Sequence, residues 1–201
     1  MKLYFHPMSR AMTPRLLIAE LGIDVEIVDV DFKAREHKTP EFIAKHPLGQ
    51  LPCLELDDGS TMFETAAICQ YLAEQAPGSG MFVPPGDPRR GRYLTFMVYG
   101  LGSVEPAAIA AYEAEQRGDE AKLKAMLHRI EEVVAVYATQ LGDKPWLLGD
   151  DFTAVDVLAG STINWLKMNK RYTPQGALAD YLGRVMGRPA IKQVFAHYYG
   201  G

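Results

Sequence analysis

The sequence predicts a two-domain protein in which an α/β domain precedes an all-helical domain. Strand and helix patterns alternate over the first 77 of its 201 residues. A segment rich in proline and glycine, residues 78–88, interrupts these patterns, and the apolar residues beyond it repeat with the helical period. The predicted boundaries are therefore 1–77 for the α/β domain, 78–88 for a linker and 89–201 for the helical domain.

The α/β domain is predicted to begin with a β-α-β unit. Residues 2–6 form a short strand that ends at Pro7, and a helical pattern then runs to Gly22, a residue suited to the position after a helix. Residues 23–30 alternate apolar and polar side chains, as a half-buried strand does. These three elements lead into a polar segment.

The remainder of this domain is predicted to be a helical turn, a hairpin and a helix. The helical turn covers residues 40–44. Strands at 51–56 and 60–63 flank Asp57-Asp-Gly59, a strong hairpin signal, and a helix follows over 66–76. The complete order, β-α-β-(α)-β-β-α, is that of a thioredoxin-like domain.

The second domain is predicted to contain helices over residues 89–115 and 119–141, from Thr153, and in two shorter segments, the last after Pro189. Bends are expected in the first of them at Gly100, Gly102 and Pro106. The sequence Thr153-Ala-Val-Asp156 resembles a capping box, with Asp in place of the usual Glu or Gln. Asp156 is therefore interpreted as a folding residue rather than a catalytic acid.

The composition narrows the class of protein. A formal net charge of −4 gives no reason to expect a nucleic-acid partner. Cys53 and Cys69 lack CxxC spacing, so neither a disulfide framework nor a zinc site is indicated, and we expect no metal. No signal peptide is recognisable, and no segment approaches the roughly 20 apolar residues of a membrane span. We expect a soluble, cytoplasmic protein.

Residues 45–68 combine a turn, a proline at a strand start, a hairpin and a helix N-terminus, which suits them to grip a small thiol peptide. A cis bond at Pro52 would leave the N–H and C=O of Leu51 free to pair with a peptide, as in strand addition. Alternatively, Pro52 is simply an edge-strand proline. Thr65 can cap the following helix with its hydroxyl while exposed N–H groups of the same turn bind a carboxylate, and Glu64 favours the positive end of the helix dipole.

Three local motifs, in order and register, resemble cytosolic glutathione transferases, and the resemblance covers the whole chain. They are His6-Pro-Met-Ser-Arg-Ala-Met-Thr13, the segment from Glu36 to Phe42 leading into His46-Pro-Leu-Gly-Gln-Leu-Pro52, and Phe63-Glu-Thr-Ala-Ala-Ile68. The first two are similar to the phi class, so the chain is identified as a phi- or theta-like member of the serine type, similar to bacterial members.

The resemblance implies a set of site residues. It implies that Ser9 activates glutathione, and it favours the cis form of Pro52. It also implies a glutathione-binding set that holds the glycyl end, the cysteinyl backbone and the γ-glutamyl end: His37, Lys38, Gln50, Leu51, Pro52, Glu64 and Thr65. His46 departs from the family, which more often has asparagine there.

The chemistry of a thiol supports a role for Ser9. A free thiol has a pKa near 8.5, whereas the attacking species is the thiolate. Pro14 is best tolerated in the first turn of a helix, so the cap is expected between Ala11 and Thr13. Thr13 is the expected cap, which would leave the Ser9 hydroxyl available in the loop before the helix.

Other activating groups remain open at this point. Tyr4 is a rival, because other classes of the family use a tyrosine from the first strand, although its place in an alternating strand favours packing. A cysteine nucleophile is poorly supported, because Arg10 stands where the beta-class motif has its cysteine. Ser9 itself can also be read as an ordinary turn residue.

The expected function is conjugation of glutathione to a small hydrophobic electrophile, as in detoxification, by a homodimer that the resemblance implies. The same thiolate would also serve a glutathione-dependent peroxidase or dehalogenase. A non-catalytic glutathione-binding or scaffold module is the alternative from another class. A thiol-disulfide reductase would require an exposed Cys53.

Overall fold

The computed structural model describes residues 1–200, which form two compact units. The first unit is Met1–Phe82 together with the segment that begins at Arg188, and the second is Val83–Gly187. The last helix thus groups with the first unit, although it follows the second in sequence. The domain division at 1–77, 78–88 and 89–201 stays a prediction.

The first unit contains β1 (Lys2–Phe5), α1 (Met12–Leu21), β2 (Glu26–Asp29), α2 (Pro40–Ile43), β3 (Cys53–Glu55), β4 (Thr61–Phe63) and α3 (Thr65–Glu74). Its strands form one sheet in the order β2-β1-β3-β4. β1 runs parallel to β2 and antiparallel to β3, and β3 runs antiparallel to β4. The predicted thioredoxin-like order is confirmed.

The two faces of β1 meet different helices. Leu3 and Phe5 are fully buried, and the Phe5 ring lies 4.7 Å from that of Tyr198 in the last helix, α9 (Pro189–Tyr199). The alternate residue, Tyr4, points the other way and meets Phe42 of α2 edge-to-face at 5.6 Å. This alternation is the period-2 pattern of a strand that is covered on both sides.

The second unit is helical, as predicted, with α4 (Arg90–Tyr99), α5 (Glu105–Gln116), α6 (Glu120–Leu141), α7 (Ala154–Met168) and α8 (Gly176–Met186). A wider π turn over Gly100–Val104 joins α4 to α5, where bends were expected at the two glycines. Pro106 lies in the first turn of α5, directly after the π turn, and has no N–H to donate to it.

The capping box at the start of α7 is present. The backbone N–H of Thr153 donates to Asp156 Oδ2 at 2.9 Å, and Asp156 Oδ1 accepts from the Leu147 N–H at 2.9 Å and the Tyr181 hydroxyl at 3.0 Å. Burial raises the pKa of Asp156 above its usual value, although these hydrogen bonds act to lower it. The carboxylate therefore joins the loop before α7 to α8, as expected of a folding residue.

The expectation that no segment is long and apolar enough to cross a membrane is wrong. The continuous helical stretch Arg90–Gln116 is long and apolar enough to cross a membrane by length and composition. Of its apolar part, 44% is buried inside the folded chain. The core helix of a soluble protein passes the same test, so the finding is weak evidence for a membrane.

Candidate active site

Three predicted site segments lie at one edge of the sheet. Tyr4 in β1 pairs with Cys53 in β3, which in turn pairs with Phe63 in β4, so these residues form one row across the sheet. The chain leaves the sheet on one side of this row at the ends of β1 and β4. It enters β3 from that same side, because β3 is antiparallel to both neighbours. The edge beyond the row therefore carries the Ser9 loop, the Leu51–Pro52 bond and the Glu64–Thr65 junction.

Ser9 lies in a tight loop between β1 and α1. Its hydroxyl donates to the carbonyl oxygen of His6 at 2.7 Å and accepts from the backbone N–H of Ala11 at 3.2 Å. The N–H of Ser9 donates to the same His6 carbonyl at 3.0 Å. The hydroxyl is thus engaged in local hydrogen bonds, whereas the sequence had led us to expect it to be available.

The expected role of Thr13 is wrong. The N-cap of α1 is Ala11, within the predicted range, and no side chain caps it. Thr13 is a buried residue inside the first turn. The side chain that closes this turn is Ser9, whose hydroxyl accepts from the Ala11 N–H just outside the helix. The sequence did not indicate this role.

Tyr4 is held away from this loop. Its hydroxyl donates to Glu55 Oε2 at 2.9 Å, and the Lys45 ammonium donates to the same oxygen at 2.5 Å while lying 5.3 Å from the centre of the Tyr4 ring. Burial, followed by the bond to Glu55, raises the pKa of Tyr4. This arrangement supports the packing role over thiol activation.

The Leu51–Pro52 bond is cis, as favoured from the resemblance. The backbone N–H and C=O of Leu51 have no hydrogen-bond partner within residues 1–200. The start of this loop is held to β4, because the carbonyl of Lys45 accepts a hydrogen bond from the Thr61 hydroxyl at 2.9 Å. A fixed segment with a free donor and acceptor is what strand addition requires.

Glu64 has a positive backbone φ of 72°, with ψ 115°, outside the regions that most residues adopt. A non-glycine residue in such a conformation is strained by about 1–3 kcal/mol, and such residues cluster at ligand clamps. Glu64 is the N-cap residue of α3, and Thr65 is its first residue, so the expectation that Thr65 caps the helix is wrong. No side chain caps α3 within the described chain, and the N–H groups of its first turn have no intrahelical acceptor.

The second group of predicted residues lies on the segment before β3. The Lys38 ammonium donates to the carbonyls of Leu48 and Gly49 at 2.8 Å each, directly before the exposed Gln50. His37 is half-buried, and its Nδ1 is buried without a hydrogen-bond partner among the described residues. Lys38 therefore joins its own segment to the loop that precedes Leu51.

Phe32 is a residue that the sequence reasoning missed. Its ring stacks on His6 at 4.1 Å and lies 4.5 Å from the ring of His37, so it connects the Ser9 loop to the Lys38 segment. The signal was an aromatic residue just beyond the carboxyl end of a predicted strand that runs parallel to β1. In open α/β sheets, ligand sites form at those ends.

Both cysteines are buried, and the described residues contain no cluster suited to a metal ion. Cys53 and Cys69 are fully buried, and burial raises the pKa of the Cys53 thiol to about 11. Arg10 is half-buried near Cys69, where its charge partly opposes the rise in that thiol's pKa caused by burial. Within residues 1–200, no cluster of three or more His, Cys, Asp or Glu side chains forms a metal site, and the absence of a metal stays a prediction.

Comparison with known proteins decides the family. The glutathione S-transferase N-terminal domain model matches residues 1–74, and the C-terminal domain model matches residues 103–189. Glutathione S-transferase PM239X14 of Arabidopsis thaliana is 35% identical over 156 residues, which are 69% of this chain and 68% of that protein. The chain belongs to the glutathione S-transferase family. This confirms the resemblance and the prediction of a glutathione transferase enzyme.

Solved structures extend the match to both units. A ternary complex of BphK, a bacterial glutathione transferase, has a TM-score of 0.84 and 26% identity, and the match covers 98% of each chain. A sphingomonad glutathione S-transferase, solved in complex with glutathione, has a TM-score of 0.83 and 25% identity, again with 98% of each chain covered. These matches confirm the predicted architecture. The serine type and the individual site residues stay predictions.

Proposed function

We propose that this glutathione S-transferase conjugates the glutathione thiolate to small hydrophobic electrophiles, with Ser9 as the residue that stabilises the thiolate. The observation that carries the proposal is the hydrogen bonding of Ser9. Its oxygen accepts from the Ala11 N–H, and its proton is the part of the hydroxyl that can donate to a thiolate. That proton points at the His6 carbonyl when no thiolate is present.

Transfer of this hydrogen bond to a thiolate is favourable. A hydrogen bond to an anion is roughly twice as strong as one between neutral groups. The His6 carbonyl keeps the Ser9 N–H as a donor, so it is not left without a partner when the hydroxyl rotates. The loop therefore holds Ser9 in place while its proton changes acceptor.

The tripeptide is proposed to bind along the same edge of the sheet. The free N–H and C=O of Leu51, presented by cis-Pro52, pair with the cysteinyl unit. The N–H groups of the first turn of α3, from Thr65 onward, receive the γ-glutamyl carboxylate, and Glu64 pairs with the adjacent ammonium. Lys38, with two of its three protons used on carbonyls, offers the third to the glycyl carboxylate.

Gln50 and His37 complete the proposed glutathione site. Gln50 is exposed directly before Leu51, where its amide reaches the peptide backbone, and His37 lies beside Lys38 on the glycyl side. The known complex of the sphingomonad relative with glutathione supports the same ligand here. We further propose that the protein is a cytoplasmic homodimer with a detoxifying role. Sedimentation of the purified protein tests the oligomeric state.

The buried Cys53 disfavours a thiol-disulfide reductase. Its thiol is fully buried, and its pKa of about 11 leaves almost none of it as thiolate at neutral pH. Tyr4 is disfavoured as an activator because its proton is used on Glu55. Both observations leave Ser9 as the preferred group.

Ultraviolet titration of bound glutathione tests the role of Ser9. In the wild-type protein, the thiolate absorbance should show a pKa below that of the free thiol. Ser9→Ala should raise that pKa by about 1–2 units, because one hydrogen bond to an anion contributes about 1.5–3 kcal/mol. Ser60→Ala is the matched control, since its hydroxyl bonds only Asp58 of the hairpin turn among the described residues.

The outcomes separate the possible errors. An unchanged, lowered pKa in Ser9→Ala would transfer the activating role to another group, such as the N-terminus of α1. Absence of glutathione binding by the wild-type protein would exclude the conjugation reaction itself. A change in Ser60→Ala equal to that in Ser9→Ala would show that loss of a serine hydroxyl acts indirectly.

A further inference from the structure

The last helix, α9, is attached to the first unit at both ends. At its start, Arg188 donates to Glu20 of α1 at 2.7 Å. At its end, the Tyr199 hydroxyl donates to the carbonyl oxygen of Pro7 at 2.6 Å, a contact between residues 192 positions apart. The second contact reaches the loop that carries Ser9, only two residues before it.

Pro7 is a sensitive point in that loop. Its ring fixes φ, so the direction of the following residues depends on its ψ angle, which the orientation of its carbonyl group reports. The peptide plane between Pro7 and Met8 contains that carbonyl. A donor that holds the oxygen therefore sets the path of the chain into Ser9.

The other bonds of the loop leave this carbonyl out. The Met8 N–H donates to His6 Nδ1 at 3.1 Å, and both the N–H and the hydroxyl of Ser9 donate to the His6 carbonyl. Among the described residues, Tyr199 is the donor to the Pro7 oxygen. The loop thus closes on itself around His6, and Tyr199 attaches it to the rest of the unit.

We propose that Tyr199 is a positioning residue for glutathione activation, which holds the Pro7 carbonyl and thereby places the Ser9 hydroxyl against the thiol. This inference rests on the proposed function of Ser9. Tyr199 itself does not touch the reacting atoms. It acts through the backbone between Pro7 and Ser9.

The surroundings of Tyr199 suit this role. Its ring stacks with that of Phe195 one turn earlier in α9, with centroids 5.6 Å apart, which fixes the direction of the phenol. Burial raises the pKa of Tyr199, so the hydroxyl keeps its proton throughout the pH range in which a thiolate is useful. The donor is therefore both aimed and present.

Tyr199→Phe tests the proposal, with Tyr198→Phe as a matched control from the same helix. Tyr198 packs its ring on Phe5, and its hydroxyl has no hydrogen-bond partner among residues 1–200. Tyr199→Phe should raise the pKa of bound glutathione by about half a unit and lower kcat below that pKa about threefold. Tyr198→Phe should match the wild-type protein, and the KM for glutathione should change little in either variant.

Amide hydrogen exchange of residues 8–11 gives a second readout that does not depend on glutathione. Tyr199→Phe should accelerate exchange of the Ser9 and Ala11 amides, and Tyr198→Phe should not. If Ser9→Ala alters the thiol pKa and Tyr199→Phe does not, the positioning role is overturned while the proposed function stands. If the wild-type protein does not lower the pKa of bound glutathione, the proposed function fails. If the Ser9 and Ala11 amides also exchange equally fast in both tyrosine variants, the proposed role of Tyr199 in placing the loop is overturned as well.

Discussion

Glu55 illustrates how one carboxylate oxygen organises several residues. Its Oε2 accepts from both the Lys45 ammonium and the Tyr4 hydroxyl, and the Lys45 bond is the main cause that lowers the pKa of Glu55. Lys45 is also the residue whose carbonyl accepts from Thr61. The cluster therefore connects β1, β3, β4 and the loop that leads to cis-Pro52.

Glu55→Gln should lower the free energy of unfolding by about 1 kcal/mol at pH 7, since the charge of the acceptor is lost at a position where the Glu55 side chain is 19% exposed. A lowered folded-state pKa contributes stability above the unfolded value of about 4.3 and loses it as pH falls through the folded pKa. The difference between wild type and variant should therefore be constant at neutral pH and shrink in acid. Urea unfolding at several pH values measures it.

Glu26→Gln is the matched control for this effect. Glu26 forms a longer ion pair with Lys2, 3.5 Å, in which both side chains are about half exposed, so its loss should change stability little at any pH. A difference for Glu55→Gln that persists below pH 3 would contradict the ionic origin of the cluster's stability.

At the scale of helices, the π turn between α4 and α5 combines two glycines in different surroundings. A Cβ on Gly100 would lie 2.7 Å from Thr162 Oγ1 and 2.9 Å from the Tyr137 hydroxyl, both in buried side chains. A Cβ on Gly102 would meet nothing within 4 Å. Gly100 therefore allows close packing of this turn on α7, and Gly102 does not serve that purpose.

Gly100→Ala should destabilise the protein by about 1–3 kcal/mol because it overpacks a buried contact. Gly102→Ala, two residues away in the same turn, should be neutral or stabilising by up to about 1 kcal/mol because alanine favours a helix. The denaturant midpoint should fall for Gly100→Ala and should stay the same or rise for Gly102→Ala. Equal shifts would mean that the turn, rather than the packing on α7, sets the requirement for glycine.

At the scale of the whole chain, the ion pair between Glu20 and Arg188 joins residues 168 positions apart. The Glu20 side chain is only 4% exposed, and its second oxygen is buried without a hydrogen bond among residues 1–200. Because α9 follows the second unit in sequence yet packs on α1, this pair helps to hold the chain's return to the first unit.

Arg188→Met should lower the free energy of unfolding by about 3 kcal/mol, because it leaves a buried carboxylate unpaired. The double variant with Glu20→Met should recover a large part of that loss, since buried ion pairs can be replaced by apolar residues of similar size. A double-mutant cycle from urea unfolding measures the coupling. Additive losses would show that the two side chains do not depend on each other.

The sequence by itself determined the order of elements and the family, and it indicated which segments to consider for the site. Period-2 and helical patterns, the Asp57-Asp-Gly59 turn and the Thr153–Asp156 capping box are local signals, and each formed where it was predicted. The family resemblance around Pro52 also favoured the cis bond that the structure contains. These features depend on residues close together in the chain.

Tertiary structure alone decided which groups are engaged and what supports them. These are the bonds of the Ser9 hydroxyl, the positive φ of Glu64, the Tyr4–Glu55–Lys45 cluster and the contact from Tyr199 to Pro7. Thr13 and Thr65 were assigned as caps because their residue type suits that role, but the helices begin one or two residues away from the expected frame. The Tyr4–Glu55 and Tyr199–Pro7 contacts join residues 51 and 192 positions apart, and neither spacing nor propensity encodes such contacts.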